Sequence, residues 1–126
     1  MTLLVLGKTP DSFESQVELI DAGGVSQELP LTFKYFTSLE YAKLSDGWGE
    51  IEAKYEKVSS SDTNEAVVRE TFNQYGEVLH QILIGWGIDA EFNKKNIVKL
   101  CDEYPDAFAT IVDKHRCQLL ERRLGN

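Results

Sequence analysis

Between Val68 and Trp86 the large apolar residues fall at Val68, Phe72, Tyr75, Leu79, Ile82, Leu83 and Trp86, almost entirely in steps of three and four. Only a helix of 3.6 residues per turn brings positions so spaced onto one face. Asp62-Thr63-Asn64-Glu65 supplies a capping sequence at its start, and Gly85 and Gly87 are expected to end it. A long helix with one wet and one greasy side cannot stand alone in water. The rest of the chain therefore has to furnish an apolar layer to cover it.

Two kinds of cover are legible on the N-terminal side. Val17-Glu18-Leu19 and Leu31-Thr32-Phe33-Lys34-Tyr35 alternate apolar with polar, the period of a strand with one buried face. Asp21-Ala22-Gly23-Gly24 between them tolerates positive φ, which predicts a hairpin. Pro30 lacks an N–H to donate, so it is expected at a strand start or on an edge. Leu3 to Leu6 is read as a short third strand, with residues 7–12 as a loop. Thr37-Ser38-Leu39-Glu40 then has the capping-box order, opening a helix with Leu44, Trp48, Ile51 and Tyr55 on one stripe. Gly47 and Gly49 flank Trp48 and predict a kink or break there. Ser59-Ser60-Ser61 is the clearest linker.

On the C-terminal side, Asn93 is the candidate cap of a short helix through Ile97, Leu100 and Cys101. Tyr104 precedes Pro105, is steered out of the α region, and closes that helix. Pro105 is expected at the first position of a last helix, whose inner face would be Phe108, Ile111, Val112, His115 and Leu119, with Gly125 as its stop. The fold class predicted is α+β: an N-terminal β-hairpin or small antiparallel sheet followed by a bundle of about four helices. A chain of 126 residues has room for one core, so 1–126 is read as a single domain, 1–36 being the β-hairpin region and 37–126 the helical region.

A formal charge of -8 and a pI near 4.7 argue against nucleic acid and membrane surfaces as partners, because both are themselves negative. The densest basic cluster, Arg122-Arg123 with Lys114 and Arg116 before it, sits where a helix C-terminus favours cations anyway. Met1 to Leu6 lacks a basic leader and is too short an apolar run for a signal peptide, and no segment is long enough to span a bilayer. Two cysteines form no scaffold. A reducing cytoplasm is the expected compartment.

The residues that could carry chemistry are few. A nucleophile needs a base beside it, and the chain has only His80 and His115. Cys117 lies two positions from His115, on a different side of one helix, while Cys101 with His115 reads as packing. His80, Cys101, His115 and Cys117 lack the paired spacing of a zinc site, and Asp89-Ala90-Glu91 is too sparse for calcium. Gly23-Gly24 lacks the remainder of a phosphate-binding motif, and Gly85-Trp86-Gly87 reads as a helix stop carrying a core tryptophan. No catalytic residue, metal ligand or cofactor is therefore assigned. Of Tyr35, Phe36, Tyr41, Trp48 and Tyr55, most are expected in the core, and any left outside would mark a partner surface.

One ordered set of features points further. An aliphatic run ends in Gly85-Trp86, an acidic turn leads to Phe92, a helix carries Asn96-Ile97 to Leu100, Tyr104-Pro105 precedes Ala107, and the last helix runs to Arg122-Arg123 and Asn126. This order resembles the tail assembly chaperones of siphovirus-type phages, encoded by phages or prophages. The strand Leu31 to Tyr35 followed by a capped helix is similar to that family's opening. The resemblance implies Gly85, Trp86, Tyr104 and Pro105 as structural motif residues. It also implies a non-enzymatic protein that binds the tape measure protein, with the tail tube protein and a homo-oligomer as further partners, in the cytoplasm of the infected or lysogenic host. The alternative is an acidic inhibitor or nucleic-acid mimic acting on a host protein. That reading asks for carboxylates along one face, whereas Lys54, Lys57 and Arg69 interrupt them.

Overall fold

The computed structural model describes residues 3–55 and 63–121. The serine linker, Asp62, the Arg122-Arg123 pair, Gly125 and Asn126 lie outside the described residues, as does the side chain of Tyr55.

Strands β1 (Ser12–Ile20) and β2 (Ser26–Lys34) form the expected hairpin, in a register that sets Val17 opposite Leu29 and Phe13 opposite Phe33. The Asp21 carboxylate ties the turn by accepting from the Gly23 and Val25 N–H groups, each at 2.9 Å, and from the Gln27 side-chain amide at 2.9 Å. Gly24 sits at φ 81°, a conformation that costs glycine little and other residues more. Alternation then does its work: Val17, Leu19, Leu29, Leu31 and Phe33 are buried on one face, while Glu14, Gln16, Glu18 and Glu28 face solvent on the other.

The third strand is not where the sequence placed it. Leu3 to Leu6 has no regular structure and stands exposed. The strand is instead β3 (Leu83–Trp86), antiparallel to β2 and giving the order β1-β2-β3. It follows directly on helix α3 (Asn64–Ile82), so the helix ends four residues earlier than the expected stop after Trp86. Leu83 has turned to extended geometry, φ -110° and ψ 147°, where it lies opposite Phe33. A four-residue apolar run fits both periods, and pairing with β2 decides between them. The same pairing corrects the roles of the glycines. Gly85 lies opposite Thr32, and a Cβ on Gly87 would come within 2.9 Å of the Pro30 ring. Gly87 is thus a close-packing position rather than a helix stop.

Pro30 lies in the middle of the central strand, not at its start. Its carbonyl accepts from the Gly87 N–H at 3.0 Å, so its ring nitrogen faces the same side, where β3 has already ended. Neither expected placement holds, and the ladder tolerates the proline because its ring nitrogen points past the end of β3.

Thr37 caps α1 (Ser38–Asp46) with the full reciprocal box: the Glu40 N–H donates to Thr37 Oγ1 at 3.2 Å, and the Thr37 N–H donates to Glu40 Oε1 at 2.9 Å. The break near Trp48 is realised at Gly47, which separates α1 from α2 (Trp48–Tyr55). Thr63 caps α3 and Asn93 caps α4 (Lys94–Glu103). Pro105 does not begin the last helix. It occupies a turn closed by the Ala107 N–H on the Tyr104 carbonyl at 2.9 Å, and α5 runs from Ala107 to Arg116. Its fixed φ suits the second position of such a turn as well as it suits a helix start. Cys117–Glu121 then forms a π-helical turn, which no sequence signal announced.

The core lies between the sheet and α3, α4 and α5. Phe33, Leu79, Ile82, Leu83, Ile97, Cys101, Ile111 and His115 are the largest fully buried side chains. Gly76 lets α4 approach α3, since a Cβ there would stand 2.8 Å from Val98 Cγ2. Trp48 reaches α3 through its ring N–H, which donates to Gln81 Oε1 at 2.9 Å.

Candidate interaction surfaces

The titratable groups named from the sequence are placed by packing. His115 is fully buried within a ring of aromatic side chains: Phe33 at 4.8 Å between centroids, Phe36 and Tyr41 each at 5.8 Å, and Phe13 nearly parallel at 6.1 Å. Its Nε2 lies 2.9 Å from the Lys34 carbonyl, which can only accept, so Nε2 carries the proton. Nδ1 is buried without a partner. Burial lowers the imidazole pKa below its ordinary 6.5, although the Lys34 carbonyl pulls the other way. A neutral histidine here pins α5 to the end of β2.

Burial likewise pushes the Cys101 thiol up to about 12, which keeps it protonated at neutral pH and a poor nucleophile. Cys117 lies in the π-helical turn, and both cysteines are free. His80, on the exposed side of α3, stacks on Phe92 at 5.8 Å. Among the described residues no three His, Cys, Asp or Glu side chains converge as metal ligands do.

Gly85, Trp86, Tyr104 and Pro105 sit at two joints. Trp86, half-buried in β3, donates from its ring N–H to the Ala90 carbonyl at 2.8 Å and meets Phe92 edge-on at 5.2 Å. That fastens the Ile88–Phe92 turn to the sheet. Tyr104-Pro105 makes the corner between α4 and α5, where the Tyr104 N–H donates to the Leu100 carbonyl at 2.8 Å. The tryptophan is partly in the core, as expected, but on a strand rather than at a helix end.

What remains outside is aliphatic. Among the described residues no aromatic side chain is exposed: Tyr41 is buried, and Phe36 and Trp48 pack against the core. Exposed instead are Leu39 on α1, Val67 and Val68 at the start of α3, Ile84 on β3, Ile88, and Leu3 to Leu6. Val68 is a correction, because the periodic stripe placed it inside and it is 47% exposed. The first turns of α3 extend the helical period past the layer that covers the later ones. Leu39 was visible in the sequence only as the third residue of a capping box.

The open face of the sheet carries a shallow hollow of about 490 Å³ lined by Glu14, Gln16, Pro30, Thr32, Trp86 and Gly87. Ion pairs Lys54–Glu77, Glu65–Arg69, Lys99–Glu103 and Asp113–Arg116 interleave positive with negative charge over the helices. No described helix is long and apolar enough to cross a membrane.

This is a surface that presents aliphatic groups in a mixed-charge setting, while His115 and Cys101 are taken up in packing. Neither the curated proteins nor the solved structures contained a match to the chain. A family model described as phage tail assembly chaperone matches residues 1–126, and the chain belongs to that family.

Proposed function

We propose that the chain works as a single domain and as a non-enzymatic chaperone, binding the tape measure protein and keeping it soluble in the host cytoplasm while the tail assembles. The observation that carries this reading is the family match over the whole chain. Two features support it. Leu39, Val67, Val68 and Ile84 give a client's apolar surface something to bury against, with no need of a catalytic group. A charge of -8 on the same chain keeps the loaded complex soluble and self-repelling. Binding of this kind acts by mass action and needs no nucleotide. Gly85-Trp86 and Tyr104-Pro105 would serve it indirectly, by holding the corners on which the helices are mounted. An acidic mimic would want an unbroken negative strip, and the ion pairs along α3, α4 and α5 favour the chaperone instead.

The test is co-expression with the tape measure protein from the same genome, scored by soluble yield and co-purification. The expected result is a tape measure protein that is soluble only in company and copurifies with this chain. A tape measure protein that stays insoluble and unbound, beside a well-folded chain, would end the proposal.

A further inference from the structure

Leu3, Leu4, Val5 and Leu6 are 81%, 84%, 58% and 89% exposed, the most apolar run in the described chain left without a packing partner. Directly after this arm comes β1, which the order β1-β2-β3 leaves at the edge of the sheet. The ladder fixes which backbone groups of β1 are spare. Asp11 and Tyr35 bond across the hairpin, the Tyr35 N–H donating to the Asp11 carbonyl at 3.0 Å, and so do Asp21 and Val25 at 2.9 Å. Odd-numbered residues of β1 therefore use their backbone groups toward β2, while Ser12, Glu14, Gln16, Glu18 and Ile20 direct theirs outward. The Pro30 carbonyl, which faces β3 and not its opposite number Gln16, gives the same parity. Among the described residues one chain thus holds both an unpaired nine-residue strand edge and an unpaired aliphatic segment.

We propose that the protein forms a two-fold dimer by arm exchange, Leu3 to Leu6 of each copy pairing along the outer edge of β1 in the other. Such a contact is self-complementary, and a two-fold axis closes it on itself. The area suffices: at roughly 100 Å² of apolar surface per aliphatic side chain, scaled by the exposure of each, the two arms contribute about 600 Å², and with a similar area on the strands beneath the interface reaches ~1,200 Å², at the lower end of the range of stable dimers. The proposal does not rest on the client-binding function.

The test is light scattering and sedimentation of the full chain over roughly a hundredfold concentration range, with two variants beside it. Leu4→Lys with Leu6→Lys makes the arm polar outside the packed fold. Gln16→Pro removes one outward N–H without touching a β1–β2 bond. A dimer is expected in the wild type, with the dissociation midpoint raised at least about tenfold in both variants while their thermal melts stay cooperative. A wild type that is monomeric throughout, or an arm variant that dimerises as tightly as the wild type, would overturn the proposal. The arm variant decides alone if the proline variant does not fold.

Discussion

The seam where β2, α3 and α5 meet and the aliphatic groups outside it are made of the same residue types with opposite fates. At the seam, Phe33, Leu79, Ile82 and Ile111 are fully buried, and Phe33 packs against a buried histidine whose Nε2 donates to the Lys34 carbonyl. Outside, Leu39 is 82% exposed and the first turn of α3 shows Val67 and Val68 to solvent. Burial of a leucine stabilises a fold by about 1.5–3 kcal/mol, and Leu39 contributes almost none of that here. The difference teaches that the core is completed without these groups. They are left free to meet other molecules.

Breaking the seam gives the largest effect. Leu79→Ala is expected to cost about 2–5 kcal/mol in chemical denaturation, because the sheet and three helices frame the cavity it leaves. Next is Gly76→Ala, where the new methyl meets Val98 between two packed helices. Overpacking costs about 1–3 kcal/mol, against a gain near 1 kcal/mol in helix propensity, so a net loss of order 1 kcal/mol is expected in the same assay. A net gain would show that α4 rides loosely on α3.

The histidine sharpens the contrast through pH. The pKa of His115 is lowered in the folded protein, so the unfolded chain takes up a proton first as pH falls. Its stabilising effect is complete above the unfolded value of 6.5 and is lost as pH drops below it. Urea midpoints should therefore decline from pH 7 to pH 5. A flat profile between those pH values would place the charged imidazole comfortably in its aromatic ring. Smallest is Leu39→Ser, expected to shift stability by less than about 0.5 kcal/mol because nothing in the fold covers it.

Legibility from sequence followed the same divide. The hairpin was readable because a strand with one wet face alternates, and Asp21 to Gly24 names its own turn. The caps Thr37, Thr63 and Asn93 were readable because a side-chain oxygen beside a free N–H is local chemistry. β3 was not, since Leu83 to Trp86 becomes a strand only through β2, fifty residues earlier on the chain and in contact with it by Leu31 to Phe33. Gly76 and Gly87 were illegible for a related reason: the neighbours that demand glycine, Val98 and Pro30, are remote in sequence. Val68 failed in the other direction, a periodic residue at a place where the covering layer has stopped. The candidate surface was the least readable of all, because exposure of an aliphatic side chain is set by what does not pack on it.

The most direct test of the central claim, that the exposed aliphatic groups hold the client while the seam holds the fold, is aggregation of tape measure protein diluted from denaturant, followed by light scattering. The wild-type chain should suppress scattering near stoichiometric ratios. Leu39→Ser combined with Val67→Ser and Val68→Ser should suppress it far less while melting at an unchanged temperature. Equal suppression by the triple variant, or none by the wild type in severalfold excess, would contradict the claim.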